Sequence, residues 1–226
     1  GAWPAWVSPR VRHAFARHGI LAPWAHQITA AEAAHAGHHV ALATGTASGK
    51  SLAYLLPVLA ATADGLLPEG CRVAGVRGER SWLRVRSQPT ALYLSPTKAL
   101  AHDQVRACEE LGIADWRVAP LDGDSDPDER RFAREFASYV LTNPDMLHRS
   151  VLPQHHRYAR LLGGLTHVVI DEAHRYKGLF GAHMAAVLRR LRRLAHHYGA
   201  DPVFVCTSAT IAAPESVASA LIGSED

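Results

Sequence analysis

Six short apolar runs punctuate the chain, and each is followed at once by a polar, turn-forming motif. His39 to Ala43 (HVALA) leads into TGTASGKS, Ala91 to Leu94 (ALYL) into SPTKAL, and Val118 to Leu121 into DGDSD. Tyr139 to Leu141 leads into TNPDML, His167 to Ile170 (HVVI) into DEAH, and Val203 to Cys206 (VFVC) into TSAT. Amphipathic stretches lie between the runs. In His183 to His197, Met184, Val187, Leu188, Leu191, Leu194 and Ala195 recur at helical spacing while Arg189, Arg190, Arg192 and Arg193 fall on the other side; Thr97 to Leu111 reads the same way. Strand and helix in alternation demand an α/β fold, a mostly parallel sheet with helices on both faces. Ligands of such sheets bind beyond the carboxyl ends of the strands, so the six motifs share the edge where chemistry is expected.

The first motif reads as a phosphate cradle. The P-loop pattern asks for Gly, four residues, then Gly-Lys-Ser or Gly-Lys-Thr, and here Thr44 stands where the first Gly belongs. A cradle needs backbone N–H groups at a helix N-terminus, a Lys on the phosphates and a hydroxyl for Mg²⁺. The stretch Thr44, Gly45, Thr46, Ala47, Ser48, Gly49, Lys50, Ser51 supplies all three, with Leu52 to Leu59 continuing as an apolar helix. Asp171, at the end of HVVI, is placed to hold the Mg²⁺, and Glu172 to polarise an attacking water. Alone, each feature has a plainer reading: a chance loop match, or acids that cap the next helix. Together they point to nucleotide hydrolysis.

Composition narrows the setting. A chain of 226 residues, 48% hydrophobic and 20% charged, can bury one substantial core. No apolar stretch reaches the roughly 18–20 residues that span a bilayer, and the N-terminus lacks a secretory apolar region, so a soluble cytoplasmic protein without membrane contact is expected. Cys71, Cys108 and Cys206 form no CxxC pair and are read as reduced thiols. Cations are almost all Arg; the lysines are Lys50, Lys98 and Lys177, which marks them as places needing a compact ammonium. The adjacent pairs His38-His39, His155-His156 and His196-His197 cannot face one another and read as solvated surface. One segment breaks the rhythm: about residues 64–90, Arg-rich around Gly75 and Gly78, reads as an inserted β-hairpin, with Arg84, Arg86 and Trp82 as possible nucleic-acid contacts.

In order and spacing, TGTASGKS, PTKAL, TNPDM, DEAH and SAT resemble motifs I, Ia, Ib, II and III of the superfamily two helicases, from Gln27 to Thr210. WAHQ, LDGDSD, TNPDMLH and DEAHRYKGLFGAHMAAVLRRLRR are similar to the bacterial and fungal RecQ4-like DEAH-box DNA helicases, the group of the mycobacterial SftH and bacillary MrfA proteins. The resemblance implies a RecA-like P-loop lobe over residues 27–226, preceded by an N-terminal extension at 1–26. It implies ATP and Mg²⁺ as ligands, with Lys50, Asp171, Glu172 and His174 catalytic and Ser51 with Asp171 on the metal. Gln27 would read the adenine edge, supported by Trp24. Thr97, Lys98, Thr142, Asn143 and Asp145 would touch the nucleic-acid backbone, and His174, Ser208 and Thr210 would couple nucleotide state to strand movement. The implied partners are single-stranded DNA, or a duplex with a single-stranded tail, in DNA repair, together with a second RecA-like lobe and a C-terminal domain. Nothing after Thr210 resembles that second lobe, so the first lobe of a longer protein is expected. The competing readings are an RNA helicase or another translocase of the superfamily, and an ATP-binding switch that moves no strand. The PTKAL and TNPDM loops favour a motor, since a switch has no need of two backbone-contacting loops on one edge.

Overall fold

The computed structural model describes residues 1–45, 49–73, 88–209 and 213–223. In chain order the elements are α1 (Pro9–Arg17), α2 (Ala25–His35), β1 (Val40–Ala43), α3 (Lys50–Thr62), β2 (Thr90–Leu94) and α4 (Lys98–Glu110). There follow β3 (Val118–Leu121), α5 (Pro127–Glu135), β4 (Tyr139–Thr142), the single turn α6 (Pro144–Met146) and a π-helical turn at Leu147–Val151. After a 3₁₀ turn at His155–Tyr158 come α7 (Ala159–Gly163), β5 (Leu165–Ile170), a second 3₁₀ turn at Ala173–Arg175, α8 (Gly178–His197), β6 (Val203–Ser208) and α9 (Pro214–Ile222). Every apolar run read from the sequence is a strand, with ends that differ by one or two residues. The centre of the expected hairpin, residues 74–87, lies outside the described residues.

All strand pairs are parallel, in the order β1-β6-β5-β2-β4-β3. Side chains of a strand alternate between the two faces of a sheet. Ala91 and Tyr93 therefore point into one core layer, with Val169, Val203 and Val205, where α1, α3 and α4 supply Val11, Phe15, Leu56, Leu59 and Val105. Leu92 and Leu94 point into the other, with Val168, Ile170 and Phe204, covered by Met184, Leu188 and Leu191 of α8 and Leu221 of α9. The consecutive apolar residues of the four inner strands are explained, since both of their faces are buried, while the edge strands β1 and β3 are only partly covered. Tyr54, Leu56 and Leu59 of α3 are nearly free of solvent, and burying a side chain of this kind contributes about 1.5–3 kcal/mol.

Residues 1–26, read from the sequence as an extension, fold onto this body. Val7, Val11, Ala14 and Phe15 are buried in the α3 layer, Trp3 stacks on Phe15 at 6.0 Å, and Trp6 stacks on His35 at 4.2 Å. Strand order places the site. β6 lies between β1, which leads to the phosphate loop, and β5, which leads to Asp171; β2 flanks β5 on its other side. The carboxyl end of β5 is thus reached by side chains from both neighbours.

Candidate nucleotide and nucleic-acid site

The loop after β1 ends at Gly49, whose φ of 66° lies in the left-handed region that glycine adopts without cost. α3 starts at the next residue, so Lys50 and Ser51 occupy its first turn. Lys50 Nζ donates to the carbonyls of Thr44 at 3.2 Å and Ser208 at 3.1 Å, spanning the base of the loop and the end of β6. The Thr44 N–H also reaches the Ser208 carbonyl, at 3.4 Å. Ser208 is buried, and its hydroxyl finds no partner among the described residues. Thr46, Ala47 and Ser48, expected in the cradle, lie outside the described residues, as does Thr210.

Gln27 is buried and ties two elements together. Its Oε1 accepts from the Trp24 N–H at 2.7 Å at the start of α2, and its Nε2 donates to the Gly49 carbonyl at 2.9 Å. Trp24 is 56% exposed. Beside this contact lies a cleft of about 470 Å³, lined by Phe15, Ile20, Leu21, Trp24, Gln27 and Leu55. Its mostly apolar walls with few polar groups suit a planar heterocycle.

Asp171 is held by three donors. Thr207 Oγ1 and the Glu172 N–H, the latter at 2.8 Å, donate to Oδ1, and Tyr93 Oη donates to Oδ2 at 2.5 Å. Glu172 itself has φ 52°, a left-handed conformation outside glycine, which costs on the order of 1–2 kcal/mol. Its Oε2 lies 3.2 Å from His174 Nδ1, while the Ala209 N–H donates to the same Nδ1 at 3.3 Å. One ring nitrogen cannot do both: without a hydrogen Nδ1 accepts from Ala209, and with one it donates to Glu172. His174 therefore stands between the acid of DEAH and the end of β6.

The expected nucleic-acid residues divide. Thr97 is exposed and caps α4, its Oγ1 accepting from the Leu100 N–H at 3.3 Å. Lys98 Nζ pairs with Asp124 at 2.6 Å on the surface, which holds the ammonium above its ordinary value. Asn143 caps α6, with Oδ1 accepting from the Met146 N–H at 2.9 Å, and Asp145 is exposed. Thr142 corrects the sequence reading. It is 1% exposed and its hydroxyl donates to the Leu121 carbonyl at 2.5 Å, so it ties β4 to β3 and faces no solvent. His39 and His155 are likewise not bare surface: His39 Nδ1 accepts from the Phe204 N–H at 3.2 Å, and His155 Nδ1 lies 2.8 Å from the Tyr198 hydroxyl.

Lys98, Gly123, Asn143, Asp145, Arg149 and Phe180 line a groove of about 330 Å³ on the same edge. Arg149 and Phe180 escaped the sequence reading. Their signals are faint: an Arg in the turn after TNPDML, and a Phe beside Leu179 in the glycine-flanked start of a helix. The Asp122 to Glu129 stretch beside the groove is built rather than merely acidic. Asp126 caps α5 through the Asp128 and Glu129 N–H groups. Asp122 is buried yet holds its carboxyl below the usual range: burial pushes it up, but the Asp124 N–H, His102 at 2.7 Å and Lys98 outweigh that.

A parallel sheet whose carboxyl edge carries a lysine-bearing loop, an Asp-Glu pair and a separate groove defines a RecA-like motor lobe. The description of the DEAD/DEAH box helicases matches residues 24–217, and the chain belongs to that family. It is 40% identical over 224 residues to the ATP-dependent helicase YprA of Bacillus subtilis, covering 97% of this chain and 27% of that protein. It is 39% identical over 198 residues to the ATP-dependent helicase HRQ1 of Saccharomyces cerevisiae, covering 84% of this chain and 16% of that one. Among solved structures, the DUF1998 helicase MrfA bound to DNA superposes with a TM-score of 0.85 at 38% identity, over 99% of this chain and 29% of MrfA. The chain spans less than a third of the length of each of these relatives. Among the described residues no helix is long and apolar enough to cross a membrane.

Proposed function

We propose that the chain is the first lobe of an ATP-dependent DNA helicase, binding ATP with Mg²⁺ at the Lys50, Ser51 and Asp171 end of the edge and single-stranded DNA in the Lys98 to Phe180 groove. The observation that carries this is the state of Asp171. A carboxylate accepts at about four lone-pair positions; among the described residues three are filled, and the fourth, on Oδ2, would suit a hard cation. The donor set fits magnesium: a carboxylate and a serine hydroxyl, oxygen only. Bound there, the ion would neutralise charge on the phosphates. Lys50, already bridging two carbonyls, has a third N–H for a phosphate oxygen. Glu172 is the group that would take a proton from the attacking water, and His174 would pass the state of that acid to the end of β6. Gln27 and Trp24, at the mouth of the cleft, would receive adenine, and Thr44 to Gly49 the phosphates.

DNA is favoured over RNA because the MrfA structure bound to DNA is alike in sequence as well as fold, whereas the RNA-bound Mss116, at 16% identity, is alike in fold alone. A second lobe, supplying the cation that stabilises developing charge, and further C-terminal parts complete the reading; DNA repair is the setting implied by the family resemblance. The test is Glu172→Gln. Deleting a general base costs about 10²–10⁴ in rate, so DNA-stimulated ATP hydrolysis should fall at least about a hundredfold while ATP affinity stays within about threefold. Parallel loss of binding would make Glu172 a structural acid.

A further inference from the structure

Asp171 is gripped from both neighbouring strands, and one of the two grips comes from a residue that no motif of the sequence contains. We propose that Tyr93 is a positioning residue for the magnesium carboxylate: from β2 its phenol fixes Oδ2, the oxygen with the unused lone pair, while Thr207 from β6 fixes Oδ1. The two hydroxyls together stop rotation of the carboxylate. Tyr93 is 1% exposed, and its ring is wedged between Tyr54, tilted at 5.9 Å, and Tyr139, edge-on at 6.5 Å. The phenol has no solvent to turn to. Tyr54 brings in the other side of the site. It is fully buried on α3, one turn after Ser51. The helix that presents the serine thus also packs a ring against the tyrosine that holds the carboxylate.

Magnesium demands near-ideal octahedral geometry, which makes a fixed carboxylate direction valuable. Groups that orient a metal ligand typically account for about 10–100-fold in metal affinity. The inference rests on Asp171 being the magnesium carboxylate, and the measurement separates the two. A fluorescent ADP analogue is bound to the protein in excess EDTA, then titrated with MgCl₂. Tyr93→Phe keeps the ring and its packing and removes only the hydroxyl. The magnesium concentration for half-effect should rise about tenfold or more, with affinity in EDTA unchanged. Thr207→Val should shift it the same way, and Thr207→Ser should restore it. A half-effect concentration within about twofold of wild type for either Tyr93→Phe or Thr207→Val overturns the inference, as does an equal loss in EDTA, which would mean that the hydroxyls only support the fold. Magnesium-independent binding by the unaltered protein overturns the reading of Asp171 as well.

Discussion

Gln27 braces the fold and, in the proposed reading, would also meet the ligand. Its carboxamide closes the start of α2 through the Trp24 N–H and braces the loop through the Gly49 carbonyl, and among the described residues its other N–H and lone pair find no partner. A Cβ at Gly49 would meet Gln27 Nε2 at 2.6 Å, so loop and glutamine are fitted to each other. Gln27→Ala leaves a carbonyl and an N–H without partners, a cost of about 1–3 kcal/mol, worth about 2–4 °C of Tm per kcal/mol in a domain of this size. Affinity for ATP should fall about tenfold, equivalent to about 1.4 kcal/mol, and affinity for inorganic triphosphate should fall less. Differential scanning fluorimetry and competition binding check both. Equal losses for ATP and triphosphate would confine Gln27 to bracing the loop.

At the scale of elements, β5 carries both the Asp171 edge and a buried titratable group. His167 is fully buried at its centre, Nδ1 lying 3.0 Å from Thr166 Oγ1, which itself donates to the Thr90 carbonyl at 2.9 Å. The hydroxyl hydrogen is spent, so Nδ1 carries the ring proton and Nε2 is bare, without a partner among the described residues. Burial, with a smaller contribution from His35, pushes the imidazole down to about 3. A depressed base binds fewer protons folded than unfolded, so stability is complete above the unfolded value of 6.5 and is lost as pH falls toward 3, at about 1.4 kcal/mol per unit. Burial lowers His35 and His39 as well, with the same sign. Denaturant unfolding at pH 7 and 5 should show a loss in the unaltered protein that is smaller by about 2 kcal/mol in His167→Leu; identical losses would exonerate His167. Strands of this kind were legible because runs buried on both faces have a composition that reads locally, and that Gly49, Lys50, Ser51, Asp171 and Glu172 would share one edge was legible because each motif follows a strand. Thr142 was misread because its polar side chain sits at such an end yet turns toward Leu121. Tyr93 and Thr207 meet Asp171 from 78 and 36 positions away, and Arg149 and Phe180 reach one groove from different elements; no local pattern encodes such meetings.

At the scale of the whole molecule, the carboxyl edge is divided, in the proposed reading, between a nucleotide end, at β1, β6 and β5, and a groove reached from β2 and β4. The groove has mixed charge. Lys98 is engaged by Asp124, and Asp145 is exposed beside it, whereas Arg149 is an exposed cation and Phe180 an exposed ring, 44% accessible, resting at 5.4 Å on the buried Tyr176. These two side chains should therefore act in separable ways on single-stranded DNA. A phosphate contact releases counterions, so Arg149→Ala should weaken binding and reduce the slope of log affinity against log salt by about 0.7. A stacking contact releases none. Phe180→Ala should weaken binding by about 1–3 kcal/mol with the slope unchanged, and should do so for pyrimidine and purine strands alike, because every base offers a face to an aromatic ring. Fluorescence anisotropy of labelled oligonucleotides over a salt series measures both quantities. Unchanged affinity in both variants would move the DNA path off this groove. A slope that falls with Phe180→Ala would show that the ring supports a cation, with Arg149 as the first to examine, since the two line the same groove.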